Sequence, residues 1–86
     1  MTVPVRIYTT QYCGYCLRAR QLLESKGIDF EEIDVTDDQE MRMKLVEMSG
    51  GQRTVPQIWI GGTHVGGYTD LAQLDREGRL DALLQG

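Results

Sequence analysis

Cys13 and Cys16 are the only cysteines in the chain, and their place constrains the fold more than any other feature. They stand between two runs of different period. Before them, Val3 to Thr9 is β-branched and aromatic, with Val3, Val5 and Ile7 on one face, and reads as a strand. After them, from about Tyr15 to Lys26, Cys16, Ala19 and Leu22/Leu23 recur at helical spacing. Gly27 then offers the left-handed residue that ends a helix. A strand that feeds a helix through a C-x-x-C turn predicts a βαβ unit, parallel and right-handed.

The rest of the chain continues the alternation. Asp29 to Val35 reads as a second strand, acidic enough to lie at a sheet edge. Thr36 and Gln39 have the spacing of a capping box, so a second helix is expected from Thr36. Met41, Leu45 and Met48 form its core face, and Gly50-Gly51 ends it. Val55 to Ile60 reads as a third strand, Gly61-Gly62 as a hairpin turn and Thr63 to Val65 as the return strand. Asp70 with Gln73 predicts a helix over Leu71 to Arg76, and Leu80, Leu83 and Leu84 give a last amphipathic turn after Gly78. This order predicts an α/β architecture, a four-stranded mixed sheet with helices on both faces. The chain has 86 residues, so one domain over residues 1–86 is expected.

Charge and hydropathy remove several function classes. Hydrophobic residues make up 41% of the chain, enough for one small core. No apolar run approaches the roughly 18 residues of a membrane span, so no membrane partner is expected. The first six residues lack a basic segment followed by an apolar one, which predicts no secretory leader. Nine basic residues against 13 acidic ones leave a net charge of −4, which argues against nucleic acid. Seven of the acids fall between Asp29 and Glu40, with no Lys or Arg between Gly27 and Met41. That stretch reads as a solvated acidic edge, and a small anion would avoid it.

The cysteine spacing is a poor staple. The chain-entropy model gives about 2 kcal/mol for a four-residue loop, against about 3 for fifteen residues. A structural zinc site needs four ligands, and two cysteines with His64 offer three, so no metal site is expected. A redox-active dithiol remains. Cys13 falls at the start of the first helix, where unpaired N–H groups and the macrodipole favour a negative sulfur. Cysteines in such positions ionise at about 3.5–7.5 rather than about 8.5. Cys16 faces the same side one turn later and lies deeper. Cys13 is therefore read as the attacking thiolate and Cys16 as the resolving thiol.

Three motifs add specificity: Tyr8-Thr9-x-x-x-Cys13-x-Tyr15-Cys16, then Thr54-Val55-Pro56, then Gly66-Gly67 closely followed by Thr69-Asp70. In order and spacing they resemble the glutaredoxin family, over nearly the whole chain. The resemblance is to its short dithiol class, because Cys16 stands where the monothiol class has serine. It implies a thioredoxin-like fold and a glutathione-dependent disulfide oxidoreductase of electron transport and cell redox homeostasis. Such a protein works in the cytoplasm, as a monomer, on glutathionylated or disulfide-containing proteins. The resemblance also implies a cis Val55–Pro56 bond, with Val55 and its neighbour Thr54 presenting backbone to the cysteinyl residue of glutathione. It implies that Gly67 allows close backbone approach and that Thr69 and Asp70 hold the γ-glutamyl end at a helix N-terminus. Tyr15 would flank the sulfur, and Gln52 and Arg53 would reach the glycyl carboxylate.

Read singly, these residues keep structural alternatives. Thr69 and Asp70 suffice as helix caps, and Tyr15 as a partly buried aromatic. His64 reads as a surface residue of the hairpin, and Trp59 as packing. Gly14 stands where the family commonly has proline, and Thr10 where it often has lysine. Family members without that proline sometimes assemble a [2Fe–2S] cluster between two subunits. There the Cys13 equivalents and two glutathione thiols supply the four thiolates. The alternative function is thus a cluster carrier or sensor, dimeric when loaded. A third reading, a hydrogen donor reduced by a flavoprotein, is disfavoured by the Thr54-Val55-Pro56 and Gly66-Gly67-x-Thr69-Asp70 elements.

Overall fold

The computed structural model of the protein describes residues 3–85. Val5 and Ile7 turn inward from β1 (Val5–Thr9) while Arg6 between them stays exposed, the two-residue period of a strand with a buried face. β1 leads to α1 (Gly14–Ser25), and the chain returns as β2 (Glu31–Asp34), paired with β1 in parallel. Then come α2 (Gln39–Met48), β3 (Gln57–Ile60), β4 (Thr63–Gly66), α3 (Tyr68–Arg76) and α4 (Leu80–Gln85). β3 is antiparallel to both β1 and β4, so the strand order is β2-β1-β3-β4. The expected four-stranded mixed sheet is present, and acidic β2 forms its edge.

Both faces of the sheet are covered. One packs Val5, Ile7, Ile58 and Ile60 against Ala19 and Leu23 of α1, Leu71 of α3, and Leu80 and Leu84 of α4. The other gathers Tyr8, Val35 and Leu45, with Met41 and Trp59 beside them. Ile7, Leu23, Ile58 and Leu71 are 0% exposed, and full burial of such a side chain contributes roughly 1.5–3 kcal/mol. The expected methionine stripe of α2 is only partly core. Leu45 is buried, but Met48, the last residue of the helix, is 47% exposed. It borders a shallow groove with Arg6, Glu31 and Trp59 instead.

Two helix starts depart from expectation. The Thr36 hydroxyl does not cap α2, because it donates to the Asp34 carboxylate and accepts the Gln11 N–H at 2.8 Å. Asp38 takes the cap, its Oδ1 accepting the Met41 N–H at 3.0 Å. α3 starts earlier than Leu71. Gly67 is its N-cap, and Asp70 is the third helical residue, whose carboxylate accepts the Gly67 N–H at 3.0 Å. Gln73 lies within the helix and donates to Glu77. The first three strands are also shorter than the runs that announced them, each losing the first two residues of its run and β2 its last as well. Val55 and Pro56 consequently sit in the loop before β3.

The end of α1 follows expectation. Gly27 has φ +69, and the Ile28 N–H reaches back to the Leu23 carbonyl at 3.0 Å. Lys26 then ties this end of α1 to α3 through Asp75 at 2.7 Å. No helix among the described residues is long and apolar enough to cross a membrane. The reading of the chain start rests partly on Met1 and Thr2, which lie outside the described residues.

Candidate active site

Cys13 is the N-cap of α1. Its backbone is extended, with φ −132 and ψ 108, and its Sγ accepts the Cys16 N–H at 3.1 Å. That bond is ordinarily made by a serine, threonine or aspartate oxygen. Here sulfur occupies the one position on the helix where backbone donors and dipole both favour negative charge. Thr36 helps to place it from a distance, because the Gln11 N–H that it accepts belongs to the turn leading into Cys13.

Cys16 differs in every respect. It is 1% exposed, whereas Cys13 is partly open. Burial first, and then the hydrogen bond with Cys13, push the Cys16 thiol up to about 12 from its ordinary 9.0. The folded protein therefore holds this proton more tightly than the unfolded chain does. The stability this contributes is fully present below about pH 9 and is lost as pH rises from there toward about 12. Urea unfolding of the reduced protein at about pH 7.5 and about pH 10.5 is expected to show a fall that Cys16→Ala lacks in part. Equal falls in the two proteins would refute the assignment.

The Val55–Pro56 bond is cis, and the Val55 carbonyl accepts from the Cys13 thiol at 3.6 Å. Tyr15, 55% exposed, stacks on Tyr68 with ring centroids 6.1 Å apart, and the Arg18 guanidinium lies 5.7 Å from its centroid. Arg20, by contrast, is paired with Glu32 at 2.9 Å. Thr54, Val55, Pro56, Gly67 and Thr69, with the two stacked tyrosines, line a groove of about 260 Å³. Gln52 and Arg53 border the neighbouring cleft of about 210 Å³, which shares Thr54 and Val55 with the first. Asp70 lines neither, and its carboxylate is turned to the Gly67 N–H.

The structure supplies residues that sequence reasoning passed over. Tyr68 stacks on Tyr15, and its signal was an aromatic directly after the glycine pair. Gln39 and Arg42 wall the cleft beside Gln52 and Arg53. Their three-residue spacing on α2 was visible, as was Arg42 being the first basic residue after the acidic run. His64 is a correction. It is half-buried, with Nε2 2.7 Å from Gln57 Oε1 and its ring centroid 4.6 Å from that of Trp59. Trp59 is packing, as expected, with Tyr8 edge-on to it at 5.5 Å.

Among the glycine pair, the residue whose own backbone requires glycine is Gly66. Gly66 has φ +114, and a Cβ there would overlap the Asp70 carboxylate. Gly67 has φ −93, and its Cβ would meet the Pro56 carbonyl at an ordinary 3.5 Å. Among the described residues no group of three or more His, Cys, Asp or Glu side chains is placed to hold a metal ion.

Residues 5–65 match the family model described as Glutaredoxin. A glutaredoxin of Pseudomonas aeruginosa is 58% identical over 81 residues, which make up 94% of this chain and 95% of that one. The solution structure of a glutaredoxin from Brucella melitensis is 51% identical, with TM-score 0.86 over 96% of this chain and 89% of that one. A buckwheat glutaredoxin–glutathione complex superposes with TM-score 0.88 at 31% identity, over 96% of this chain and 77% of that one. These neighbours bear out the thioredoxin-like fold that the motifs implied. With a sulfur-capped helix, a cis-proline loop beside it and relatives this similar over most of their length, the chain belongs to the glutaredoxin family, whose chemistry is glutathione-linked thiol oxidoreduction.

Proposed function

We propose that the chain is a dithiol glutaredoxin that reduces glutathione mixed disulfides and protein disulfides in the cytoplasm, as a single-domain monomer. The observation that carries this reading is the Cys13 sulfur, held as the N-cap of α1 3.1 Å from the Cys16 N–H and beside the Val55 carbonyl. In the first step the Cys13 thiolate attacks the glutathione sulfur of a protein–glutathione disulfide. The Cys13–glutathione disulfide forms, the old S–S bond breaks, and the protein leaves as a thiolate that takes up a proton. The thiolate of a second glutathione then attacks the bound glutathione sulfur, releasing oxidised glutathione and regenerating Cys13. With a protein disulfide, Cys13 first forms the mixed disulfide with one protein sulfur; Cys16, after losing its proton, attacks the Cys13 sulfur and expels the reduced protein, and two glutathiones then reduce the Cys13–Cys16 disulfide, leaving as oxidised glutathione.

The residues around the sulfur support this pairing. In this reading glutathione lies in the groove lined by Tyr15, Thr54, Val55, Pro56, Gly67 and Thr69. Its glycyl carboxylate reaches toward Gln52 and Arg53, with Arg42 adding a second guanidinium to that cleft. The γ-glutamyl carboxylate meets the start of α3 at Thr69, and Asp70 accepts from the ammonium. None of the seven acids between Asp29 and Glu40 lines that cleft.

The second reading, a glutathione-ligated [2Fe–2S] dimer, draws support from Gly14. Apart from its chain neighbours and its own helix, nothing lies within 4 Å of where a Cβ would sit on it. Each subunit would contribute Cys13 and one glutathione thiol.

The readings separate in one preparation, purified without oxygen in the presence of glutathione. Expected is a colourless monomer that turns over a glutathionylated peptide with glutathione and glutathione reductase. A brown dimer without that turnover would favour the cluster carrier. Turnover driven by thioredoxin reductase alone would overturn the glutathione-linked mechanism.

A further inference from the structure

We propose that Gln57 and His64 are positioning residues for the loop of the cis proline and so set the affinity for the glutathione part of a substrate, an inference that rests on the function proposed above. Gln57 opens β3 directly after Pro56 and is 0% exposed. A buried primary amide must find partners for its N–H groups and its oxygen. Its Nε2 lies 2.9 Å from the Thr54 carbonyl and 3.0 Å from Gln52 Oε1. A carbonyl only accepts, so the nitrogen of the amide must face Thr54. The amide oxygen then faces His64 Nε2 at 2.7 Å, and it too only accepts. His64 must therefore carry a proton on Nε2. Each link in this relay is dictated by the one before it.

The far end of the relay is braced. The His64 ring lies 4.6 Å from Trp59, and Trp59 meets the edge of Tyr8 at 5.5 Å. Apart from the Cys13 thiol, 3.6 Å from the Val55 carbonyl, the loop that the relay grips is held at its two ends. Gln52, Arg53 and Thr54 are exposed. At the start of the loop the Ser49 hydroxyl accepts the Gln52 N–H at 3.2 Å and donates to the Gln52 carbonyl at 3.1 Å. Gln57 is the corresponding anchor at its end. Between these two anchors lie Thr54 and Val55, the residues shared by both clefts beside Cys13. Loosening the second anchor displaces the surface that receives glutathione and leaves the sulfur cap of α1 untouched.

The test compares the full chain with His64→Phe and Gln57→Leu. Phenylalanine keeps a ring on Trp59 and removes the N–H, while leucine removes the amide and keeps the bulk. His64→Phe, which loses one hydrogen bond, is expected to raise KM for a glutathionylated peptide roughly tenfold, and Gln57→Leu, which loses those to Thr54, Gln52 and His64, at least as much, while both leave kcat within about twofold. Alkylation of Cys13 by iodoacetamide, which needs no groove, stays within about twofold. His64→Gln, which restores an N–H donor, recovers a low KM. An unchanged KM in both variants, or KM and alkylation impaired together, would overturn the proposal. Nitrogen NMR of the unaltered chain gives an independent check, since a neutral His64 protonated on Nδ1 alone would also overturn it. The same peptide disulfide-linked to cysteine is the control for the underlying function. If the unaltered chain reduces it as well as the glutathionylated peptide, the glutathione reading itself fails. If the unaltered chain prefers glutathione and both variants keep that preference, only the relay fails.

Discussion

Replacing Cys13 with serine is expected to lower turnover of every disulfide substrate by at least about 10³-fold, because a serine hydroxyl is not ionised at neutral pH and cannot form the mixed disulfide. Cys16→Ser should behave quite differently. In the proposed mechanism the exchange of glutathione at Cys13 uses no second cysteine, so rates on a glutathionylated peptide should stay within about threefold. Reduction of a protein disulfide, where the second thiol must expel the substrate, should fall by about 10²-fold or more. The asymmetry follows from geometry. One sulfur sits open at the tip of α1, and the other is sealed beneath it at 1% exposure with its proton held tightly. Steady-state kinetics of the two single mutants on both substrates would decide the matter. Equal losses in both would contradict the division of roles.

Gly66→Ala should cause the largest loss of stability outside the core. The new Cβ meets two obstacles, a φ of +114 and the Asp70 carboxylate that caps α3. Backbone strain of about 1–3 kcal/mol and loss of a cap of about 1 kcal/mol together predict a destabilisation of roughly 2–4 kcal/mol. Gly67→Ala, one residue on, meets only an ordinary contact and should cost about 1 kcal/mol or less. In the Gly66→Ala/Asp70→Ala double mutant the collision is gone, so the two costs should not add. Urea denaturation of the unaltered chain, Gly66→Ala, Gly67→Ala, Asp70→Ala and the double mutant measures all three quantities. If Gly66→Ala and Gly67→Ala cost the same, the reading of this turn is wrong.

The sheet was legible because its signals are local. Val5 and Ile7 alternate with a charged neighbour, Gly27 and the Gly61-Gly62 pair mark turns, and the acidic stretch could be nothing but an edge. Cys13 and Cys16 were legible for the same reason, lying at the junction of a strand and a helix. The helix starts were not. Thr36-x-x-Gln39 has the letters of a capping box, yet its hydroxyl is claimed by Asp34 and by Gln11, which is distant in sequence. Asp70 looked like a cap and is one, but it works backward from inside the helix. His64 was misread because its partners are across the hairpin: Gln57 and Trp59 on β3 become its neighbours only once the strands pair. Arg42 stayed hidden because no pattern within α2 says which wall of which cleft it will face.

The two faces of the sheet are insulated to different depths. Among the described residues, nine buried apolar side chains form the cluster on the face covered by α1, α3 and α4, and three form that on the face covered by α2. Local opening costs least where the fewest apolar groups are sealed. Amide hydrogens of α2, the helix that carries Gln39 and Arg42, are therefore expected to exchange sooner than those of α1, whose first residues follow the Cys13 cap.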